Sequence, residues 1–241
     1  MEQVFYSQQQ VETIYVDRFD RLKPSTILYL TQEMASGHCR QLGCDWDAMA
    51  RMGLFWAVVR HRIHIDRLPA AGETLHLETW PLPTTRTCYP RAMAAFDGAG
   101  APLFQVHTLW VLMDLDSRAM VLPGKSGVQV PGLLRGTELP APVSLVPGPM
   151  EQWVQRQVHF SDLDRNGHMN NCRYLDWIAD LFPSTSHETR LPKELSLCYL
   201  NEAREGEQLR LHWAGTPDGT VHVEITDDAC GKRIFGAALG F

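Results

Sequence analysis

Two stretches of this chain repeat one pattern, a glycine and a glutamate followed by alternating leucines. They are Gly72-Glu73-Thr74-Leu75-His76-Leu77 and Gly206-Glu207-Gln208-Leu209-Arg210-Leu211. Between them, residues 123–149 hold six of the fifteen prolines and five glycines, and proline cannot continue a regular helix or a central strand. An internal repeat interrupted by such a connector indicates two copies of one design. We therefore predict an N-terminal domain over residues 1–122, a linker over residues 123–150 and a C-terminal domain over residues 151–241.

Each half combines a helix with strands of period two. In the first half, residues at helical spacing follow Pro24, which a helix tolerates in its first turn; they are Ile27, Leu30, Met34 and Leu42. In the second half the stripe is Met169, Cys172, Leu175, Ile178 and Phe182. Alternating strands are then predicted over residues 85–97, 103–114, 221–226 and 233–241. The pattern predicts an α+β fold in which a curved antiparallel sheet wraps around one long helix in each half.

A run of short polar side chains stands immediately before the helix of the second half. Asp164, Asn166 and His168 occupy positions i, i+2 and i+4, so they can converge on one small volume. Backbone N–H groups at the helix start, expected at about Met169 to Asn171, point at the same volume and favour negative charge. This equipment suits the activation of water against a carbonyl carbon. The alternative is ordinary turn and cap chemistry, which is how we interpret Asp162.

Composition excludes several classes of function. A net charge of −6 and scattered tryptophans argue against a nucleic-acid binder. No apolar run approaches the ~18 residues of a membrane span, and no signal peptide opens the chain, so we expect a cytoplasmic protein. The six cysteines form no Cys-x-x-Cys pair. We therefore predict free thiols, no metal site and no cofactor.

The run Asp164, Asn166, His168, Asn170, Asn171 and Tyr174 resembles the signature of the acyl-acyl carrier protein (acyl-ACP) thioesterases, which release fatty acids from fatty acid synthesis. The first half also resembles that family, through Arg21-Leu22-Lys23-Pro24 and Trp110-Val111-Leu112-Met113-Asp114-Leu115. The resemblance implies a tandem (double) hot-dog fold whose sheets join into a pseudo-dimer. It also implies hydrolysis of fatty acyl-ACP, with acyl carrier protein as the partner.

The resemblance also suggests residue roles. Alignment on Tyr199 puts the catalytic glutamate of the family at Glu202, and the neighbouring family cysteine is Ala203 here. We therefore expect Glu202 to act as general base on water, with Asn166 orienting the water or the carbonyl. His168 is expected to bond to the reacting centre, and Asp164 to fix local geometry or the histidine ring. Aligned on Asp20, the first half has Leu22 and Pro24 where the second has Asn166 and His168, so only the second half is expected to be catalytic.

Substrate binding is predicted in both halves. Asp45 is a good N-cap and Gly53 a good residue beyond a helix end, so a short helix is expected between them. The resemblance implies that this region walls an acyl tunnel; the alternative is a helix that only closes the core. The candidate substrate-binding residues are Met49, Met52, Trp56, Asn170 and Asn171.

Partners and rival functions stay open at this point. The nearest rival is an acyl-CoA thioesterase of the same fold, because both donors share the phosphopantetheine arm. A non-catalytic acyl-thioester-binding protein and a dehydratase are further alternatives, and a homodimer is left open. An acidic carrier protein needs a basic docking face. The residues that we expect to supply it are Arg165, Arg173, Arg190, Lys193 and Arg204.

Overall fold

The computed structural model describes residues 3–146 and 148–241. Met1, Glu2 and the linker residue Pro147 lie outside the described residues. The chain divides into two compact units, Met1–Pro142 (unit 1) and Val143–Phe241 (unit 2). The domain boundaries that we placed at residues 122 and 150 stay predictions. No helix among the described residues combines the length and apolar character that crossing a bilayer requires.

Unit 1 consists of one long helix, two short helices and antiparallel strands. The helices are α1 (Pro24–Leu42), α2 (Trp46–Arg51) and α3 (Pro123–Ser126). The strands are β1 (Phe5–Gln10), β2 (Leu54–Ile65), β3 (Thr74–Pro81), β4 (Tyr89–Phe96), β5 (Pro102–Asp114) and β6 (Met120–Val121). Their order in space is β1-β3-β4-β5-β2, and β6 pairs with β5.

The helix signals in the first half are confirmed. Pro24 occupies the first turn of α1, and Gly43 ends that helix with φ of 70°, a conformation that glycine adopts without strain. The Asp45 side chain caps α2 by accepting a hydrogen bond from the Ala48 N–H at 3.0 Å, and Gly53 follows with φ of 72°. Of the apolar residues that we predicted to form one face of this helix, Ile27, Leu30 and Met34 are buried. The helix therefore packs through its apolar face.

Unit 2 repeats this plan with shorter helices. The helices are α4 (Arg173–Ala179) and α5 (Ser184–Thr189). The strands are β7 (Gln152–Gln157), β8 (Glu194–Tyr199), β9 (Gln208–Gly215), β10 (Val221–Asp227) and β11 (Arg233–Gly240). All neighbours in the order β8-β11-β10-β9-β7 are antiparallel. Helices packed with antiparallel strands in both units confirm the predicted α+β class.

Helix α4 is shorter than the apolar stripe suggested. The stripe began at Met169, but the Met169 N–H donates to the Ala203 carbonyl at 2.8 Å, so its backbone belongs to a loop rather than to a helix. At the other end, Pro183 disfavours helical backbone at Phe182. The second helix therefore covers only seven residues. Met169 and Cys172 are nevertheless buried, which explains why they read as part of one apolar face.

Candidate active site

The Asp164 side chain closes the loop that carries the predicted motif. Its Oδ1 accepts hydrogen bonds from the backbone N–H groups of Asn166 at 2.8 Å and of His168 at 3.3 Å. The backbone closes the same loop, since the Asp164 N–H donates to the His168 carbonyl at 2.8 Å. Gly167 takes φ of 77° between them, which suits a residue without a Cβ. The carboxylate thus fixes the backbone of the loop that carries His168.

His168 and Glu202 meet at the open side of this loop. The imidazole Nε2 lies 3.1 Å from the Glu202 Oε2. The His168 side chain is 13% exposed and that of Glu202 is 41% exposed, so the carboxylate is the more solvent-accessible member. The contact is possible because His168 forms an isolated β-bridge with Arg204, which brings the segment after β8 alongside the loop. A carboxylate held by an imidazole and open to water is suitable for accepting a proton.

Asn166 lies on the exposed side of the loop. Its side-chain Nδ2 donates to the Asp164 Oδ2 at 3.2 Å. A carboxamide nitrogen carries two protons, so this bond uses only one of them. The second proton is the natural donor for a carbonyl oxygen that gains charge.

We predicted that the backbone N–H groups of Met169 to Asn171 would point at the substrate, and this prediction is wrong for two of these three residues. The Met169 N–H is bonded to the Ala203 carbonyl, and the Asn170 N–H donates to the Asp162 carbonyl at 2.8 Å. Both groups therefore serve the loop and do not point at a substrate. Helix α4 itself begins only at Arg173.

Asn170 and Asn171 also serve the local structure. The Asn170 Oδ1 accepts from the Cys172 N–H at 2.9 Å, which is an Asx-turn just before the helix. The Asn171 carbonyl accepts from the Tyr199 hydroxyl at 3.0 Å. A substrate-binding role for this pair stays a prediction.

Asp162, which we interpreted as a turn residue, also holds helix α4 in place. Its carboxylate is 5% exposed and accepts from the His159 N–H at 3.0 Å. It also accepts from the Arg173 Nε at 3.2 Å and from the Trp177 Nε1 at 3.4 Å. One buried carboxylate thus ties α4 to the entrance of the loop. The sequence feature that could have indicated this role is the three-residue spacing of His159 and Asp162, which form a capping box.

Unit 1 contains the same loop. The Asp17 Oδ1 accepts from the backbone N–H groups of Phe19 at 2.8 Å and of Arg21 at 3.1 Å. The Asp17 N–H donates to the Arg21 carbonyl at 2.7 Å. Asp20, with φ of 58°, takes the place of Gly167, and the Leu22 N–H donates to the Pro69 carbonyl at 2.8 Å, as Met169 does to Ala203.

This correspondence corrects our alignment of the two halves. Asp17, not Asp20, is equivalent to Asp164, so Phe19 and Arg21, rather than Leu22 and Pro24, replace Asn166 and His168. The carbonyls of Ala203 and Pro69 accept the equivalent hydrogen bonds in the two units. The residues just before them are Glu202 and Leu68, so the buried Leu68 is the counterpart of Glu202. Our alignment failed because it matched the short polar run before each helix, whereas the hydrogen bonds identify the loop. Unit 1 therefore keeps the aspartate of the loop without the other three polar residues.

The candidate acyl-binding residues of unit 1 differ in exposure. Met49 is 2% exposed in a cluster with Cys44, Leu54, Tyr89 and Leu112. Trp56 packs against that cluster, edge-on to the Tyr89 ring at 4.9 Å. Met52 is 49% exposed at the end of α2. Met49 is thus buried, Trp56 is partly buried and Met52 is exposed, and the binding role of all three stays a prediction.

The five basic residues expected around the site do not lie together. Arg165 is part of the motif loop and Arg204 forms the bridge with His168. Lys193 stands just before β8, whose six residues span about 20 Å, whereas Glu202 follows the other end of that strand. Arg190 donates to the Gly219 carbonyl at 2.8 Å.

Arg173 is engaged in salt bridges with Asp162 at 3.2 Å and Asp176 at 2.7 Å. Its guanidinium therefore serves the structure around α4, whereas Arg165 lies in the loop and Arg204 pairs with His168.

Metal and disulfide chemistry is not indicated at this site. Within the described part of the chain, no group of three or more His, Cys, Asp or Glu side chains is placed to hold a metal ion. Each of the six cysteines carries a free thiol. Cys172, just before α4, is buried, and burial raises its pKa, which keeps it in the unreactive thiol form.

Two family models match the chain along most of its length. The acyl-ACP thioesterase N-terminal domain matches residues 2–122, and the acyl-ACP thioesterase C-terminal domain matches residues 150–239. The chain belongs to the acyl-ACP thioesterase family.

Curated relatives agree with this assignment. The chain is 24% identical over 220 residues to the chloroplastic acyl-[acyl-carrier-protein] hydrolase FATB3 of Cuphea viscosissima, covering 81% of this chain and 50% of that protein. It is 24% identical over 202 residues to the chloroplastic oleoyl-acyl carrier protein thioesterase 2 of Arabidopsis thaliana, covering 76% and 55%. The chain thus spans about half the length of the curated relatives it matches.

The solved structures establish the fold. An acyl-ACP thioesterase from Bacteroides thetaiotaomicron superposes with a TM-score of 0.84 at 23% identity, covering 98% of this chain and 97% of that one. The 12:0-ACP thioesterase from Umbellularia californica gives 0.83 at 20% identity, with coverages of 99% and 97%. These likenesses confirm the predicted tandem hot-dog fold.

The paired loops allow a matched test of Asp164. Asp164→Ala and Asp17→Ala each remove an acceptor of two backbone N–H bonds, so each should lower the free energy of unfolding by about 1–3 kcal/mol. Only Asp164→Ala should also lower kcat for thioester hydrolysis, because only its loop carries His168. Urea denaturation and steady-state assays measure the two effects.

The conservative variant separates loop support from proton transfer. Asp164→Asn keeps an acceptor oxygen, so it should retain most of the stability and turnover of the unmodified protein. An Asp164→Asn protein that is stable but inactive would contradict a purely positional role and indicate that the carboxylate takes part in the chemistry.

Proposed function

We propose that this protein hydrolyses the thioester of fatty acyl-ACP, releasing the free fatty acid and holo-ACP. The observation that carries this proposal is the 3.1 Å contact between His168 and Glu202 on a loop fixed by Asp164. Membership of the acyl-ACP thioesterase family supports the same substrate class. Fatty acid biosynthesis in the cytoplasm is the setting that we propose.

Glu202 acts as the general base. Its carboxylate takes a proton from a water molecule, and the water oxygen attacks the carbonyl carbon of the thioester. The His168 Nε2 faces Glu202 and holds that carboxylate in place, since a carboxylate only accepts hydrogen bonds. The carbon–sulfur bond then breaks, and the phosphopantetheine sulfur leaves with the proton that Glu202 received. A base of this kind contributes roughly 10²–10⁴-fold to the rate.

Asn166 stabilises the charged intermediate. Its Nδ2 keeps one proton after donating to Asp164, and that proton bonds to the carbonyl oxygen as negative charge develops. Asp164 acts through the loop, because its Oδ1 accepts hydrogen bonds from the backbone N–H groups of Asn166 and His168. It is therefore a positioning residue in this proposal, and the three other polar residues contact the reacting atoms or one another.

The carrier protein docks through basic residues next to the loop. Acyl carrier proteins are acidic, and this chain carries a net charge of −6, so the attraction must be local. Arg165 and Arg204 are both exposed. Arg165 directly precedes Asn166 in the loop, and Arg204 forms the β-bridge with His168. Acyl-CoA offers the same phosphopantetheine thioester without the protein surface, which makes it the informative comparison substrate.

We expect Glu202→Gln to lower kcat by roughly 10²–10⁴-fold, because glutamine keeps the shape but cannot accept the proton. His168→Ala and Asn166→Ala should also lower kcat severely. Glu205→Gln is the matched control, since Glu205 is an exposed carboxylate three residues further on, and it should stay near normal. Thermal melting checks folding. Full activity of a folded Glu202→Gln protein would transfer the role of base to His168.

The length of the preferred acyl chain should depend on the buried residues of unit 1. Met49→Ala should shift the released products towards longer acids, and Met49→Phe towards shorter ones, because the side chain occupies space in a buried cluster. Met52→Ala, at an exposed position, is the control and should leave the profile unchanged. Gas chromatography of the products measures the effect. A profile that never moves while the rate changes would contradict a tunnel wall at Met49.

Neutralising the two docking arginines should weaken the reaction with the carrier protein selectively. Each exposed ion pair is worth about 0.2–1 kcal/mol, so Arg165→Gln with Arg204→Gln should raise KM for acyl-ACP roughly twofold to thirtyfold. The KM should also depend less on salt. The control pair is Arg190→Gln with Lys193→Gln, near the other end of β8. Equal effects of the two pairs, or equal losses with acyl-CoA, would contradict a carrier-protein site at this loop.

A further inference from the structure

Two cysteines meet at the end of α1. The Cys44 N–H donates to the Cys39 carbonyl at 3.0 Å, and the Gly43 N–H donates to the Arg40 carbonyl at 3.4 Å. With Gly43 in the left-handed conformation, this is a Schellman motif, which brings the side chains of its first and last residues together. Here those residues are Cys39 and Cys44, and the Cys44 thiol donates a hydrogen bond to the Cys39 sulfur.

The backbone bond also sets the reach between the two residues. A carbonyl oxygen 3.0 Å from an amide nitrogen leaves the two Cα atoms at most about 7 Å apart. Disulfides form at Cα separations of roughly 4.4–6.8 Å. The pair can therefore be oxidised with little movement of the chain.

A buried arginine lies beside the pair. Arg91, on β4, is 5% exposed, and its Nη1 is 3.1 Å from the His38 Nδ1 and 3.4 Å from the Thr79 Oγ1. Its Nη2 is 4.0 Å from the Cys39 Sγ. A guanidinium stays charged when buried and needs a compensating partner. Of these three groups, the thiol alone can supply a negative charge.

The surroundings favour the thiolate of Cys39 over that of Cys44. The hydrogen bond from Cys44 and the charge of Arg91 outweigh burial and the nearby Asp45, and they lower the pKa of Cys39 to about 7. The same shared hydrogen bond, together with burial, raises the pKa of Cys44. Cys39 is a partly exposed residue and Cys44 is a buried one.

We propose that Cys39 and Cys44 form an oxidisable dithiol, in which Cys39 reacts first with hydrogen peroxide and Cys44 then closes an intramolecular disulfide. The Cys39 thiolate attacks one peroxide oxygen, the O–O bond breaks, and hydroxide leaves, so Cys39 becomes a sulfenic acid. The Cys44 sulfur, having given up its proton, attacks the Cys39 sulfur and expels the hydroxyl group as water. Two thiols and one peroxide yield one disulfide and two waters.

The disulfide has a defined structural setting. The Cys44 carbonyl accepts from the Trp56 Nε1 at 2.8 Å, and Cys44 packs in the cluster that contains Met49. Oxidation would therefore fix the junction of α1 and α2 beneath these side chains. The modification itself depends only on the cysteines and Arg91, and it stands or falls independently of the thioesterase activity.

The test treats the full chain with hydrogen peroxide at pH 7, alkylates the remaining thiols after denaturation, and maps the peptides by mass spectrometry. At this pH a thiol with a pKa of about 7 is half ionised, against a few per cent for an ordinary thiol. Cys39 and Cys44 should therefore disappear together, linked to each other, roughly tenfold faster than Cys88 and Cys230, the internal comparators. Oxidation no faster than that of the comparators, or linkage to another cysteine, would overturn the proposal.

Two variants test the order of the steps. In Cys44→Ser the sulfenic acid of Cys39 should accumulate and react with dimedone, and no intramolecular disulfide should form. Arg91→Met should slow the loss of Cys39 several-fold. Because Arg91→Met removes a buried group and can unfold the protein, the unmodified chain supplies a second measurement: iodoacetamide labelling of Cys39 should have its midpoint near pH 7. A midpoint shared with Cys88 and Cys230, or Cys39 sulfenic acid absent from Cys44→Ser, would refute the assignment.

Discussion

A carboxylate that accepts backbone N–H bonds two and four residues further along the chain fixes the loop on which the candidate site depends. In unit 2 this carboxylate is Asp164, and the loop presents Asn166 and His168 at defined positions. The next layer of support is the bond from the Met169 N–H to the Ala203 carbonyl, which draws Glu202 to the imidazole. Without this loop, neither the Asn166 side-chain amide nor the His168 imidazole would have a fixed position relative to the Glu202 carboxylate.

Local signals in the sequence were sufficient for some of these features. Asp45 and Gly53 bound α2 as predicted, because capping depends on residues within three or four positions. The motif of alternating polar residues drew attention to Asp164, Asn166 and His168. Glu202 came from the family resemblance, through alignment on Tyr199, and the structure brings it to within 3.1 Å of His168. Residues two and four positions apart in one loop can be predicted from local pattern, whereas a pair as distant in sequence as His168 and Glu202 cannot.

Other features depend on partners that are distant in sequence. Asp162 looked like a turn residue because Arg173 and Trp177, which bond to its carboxylate, lie eleven and fifteen positions away. The start of α4 was placed too early because Met169 is apolar and buried, while its N–H bonds to a segment more than thirty residues further on. The equivalence of Asp17 and Asp164 is visible only in hydrogen bonds, since the residues around them have diverged.

The duplicated loop separates architecture from chemistry within one molecule. Unit 1 retains the aspartate and the left-handed residue of the turn, while Phe19, Arg21 and Leu68 stand where unit 2 has Asn166, His168 and Glu202. The turn therefore folds in both copies, whereas the set of Asn, His and Glu occurs only in unit 2, and Arg21 of unit 1 bonds instead to the Asp17 carboxylate. One chain therefore contains both a loop that carries these three residues and a reference loop that folds with different side chains in their place, which makes the molecule its own control for the effect of sequence on this turn.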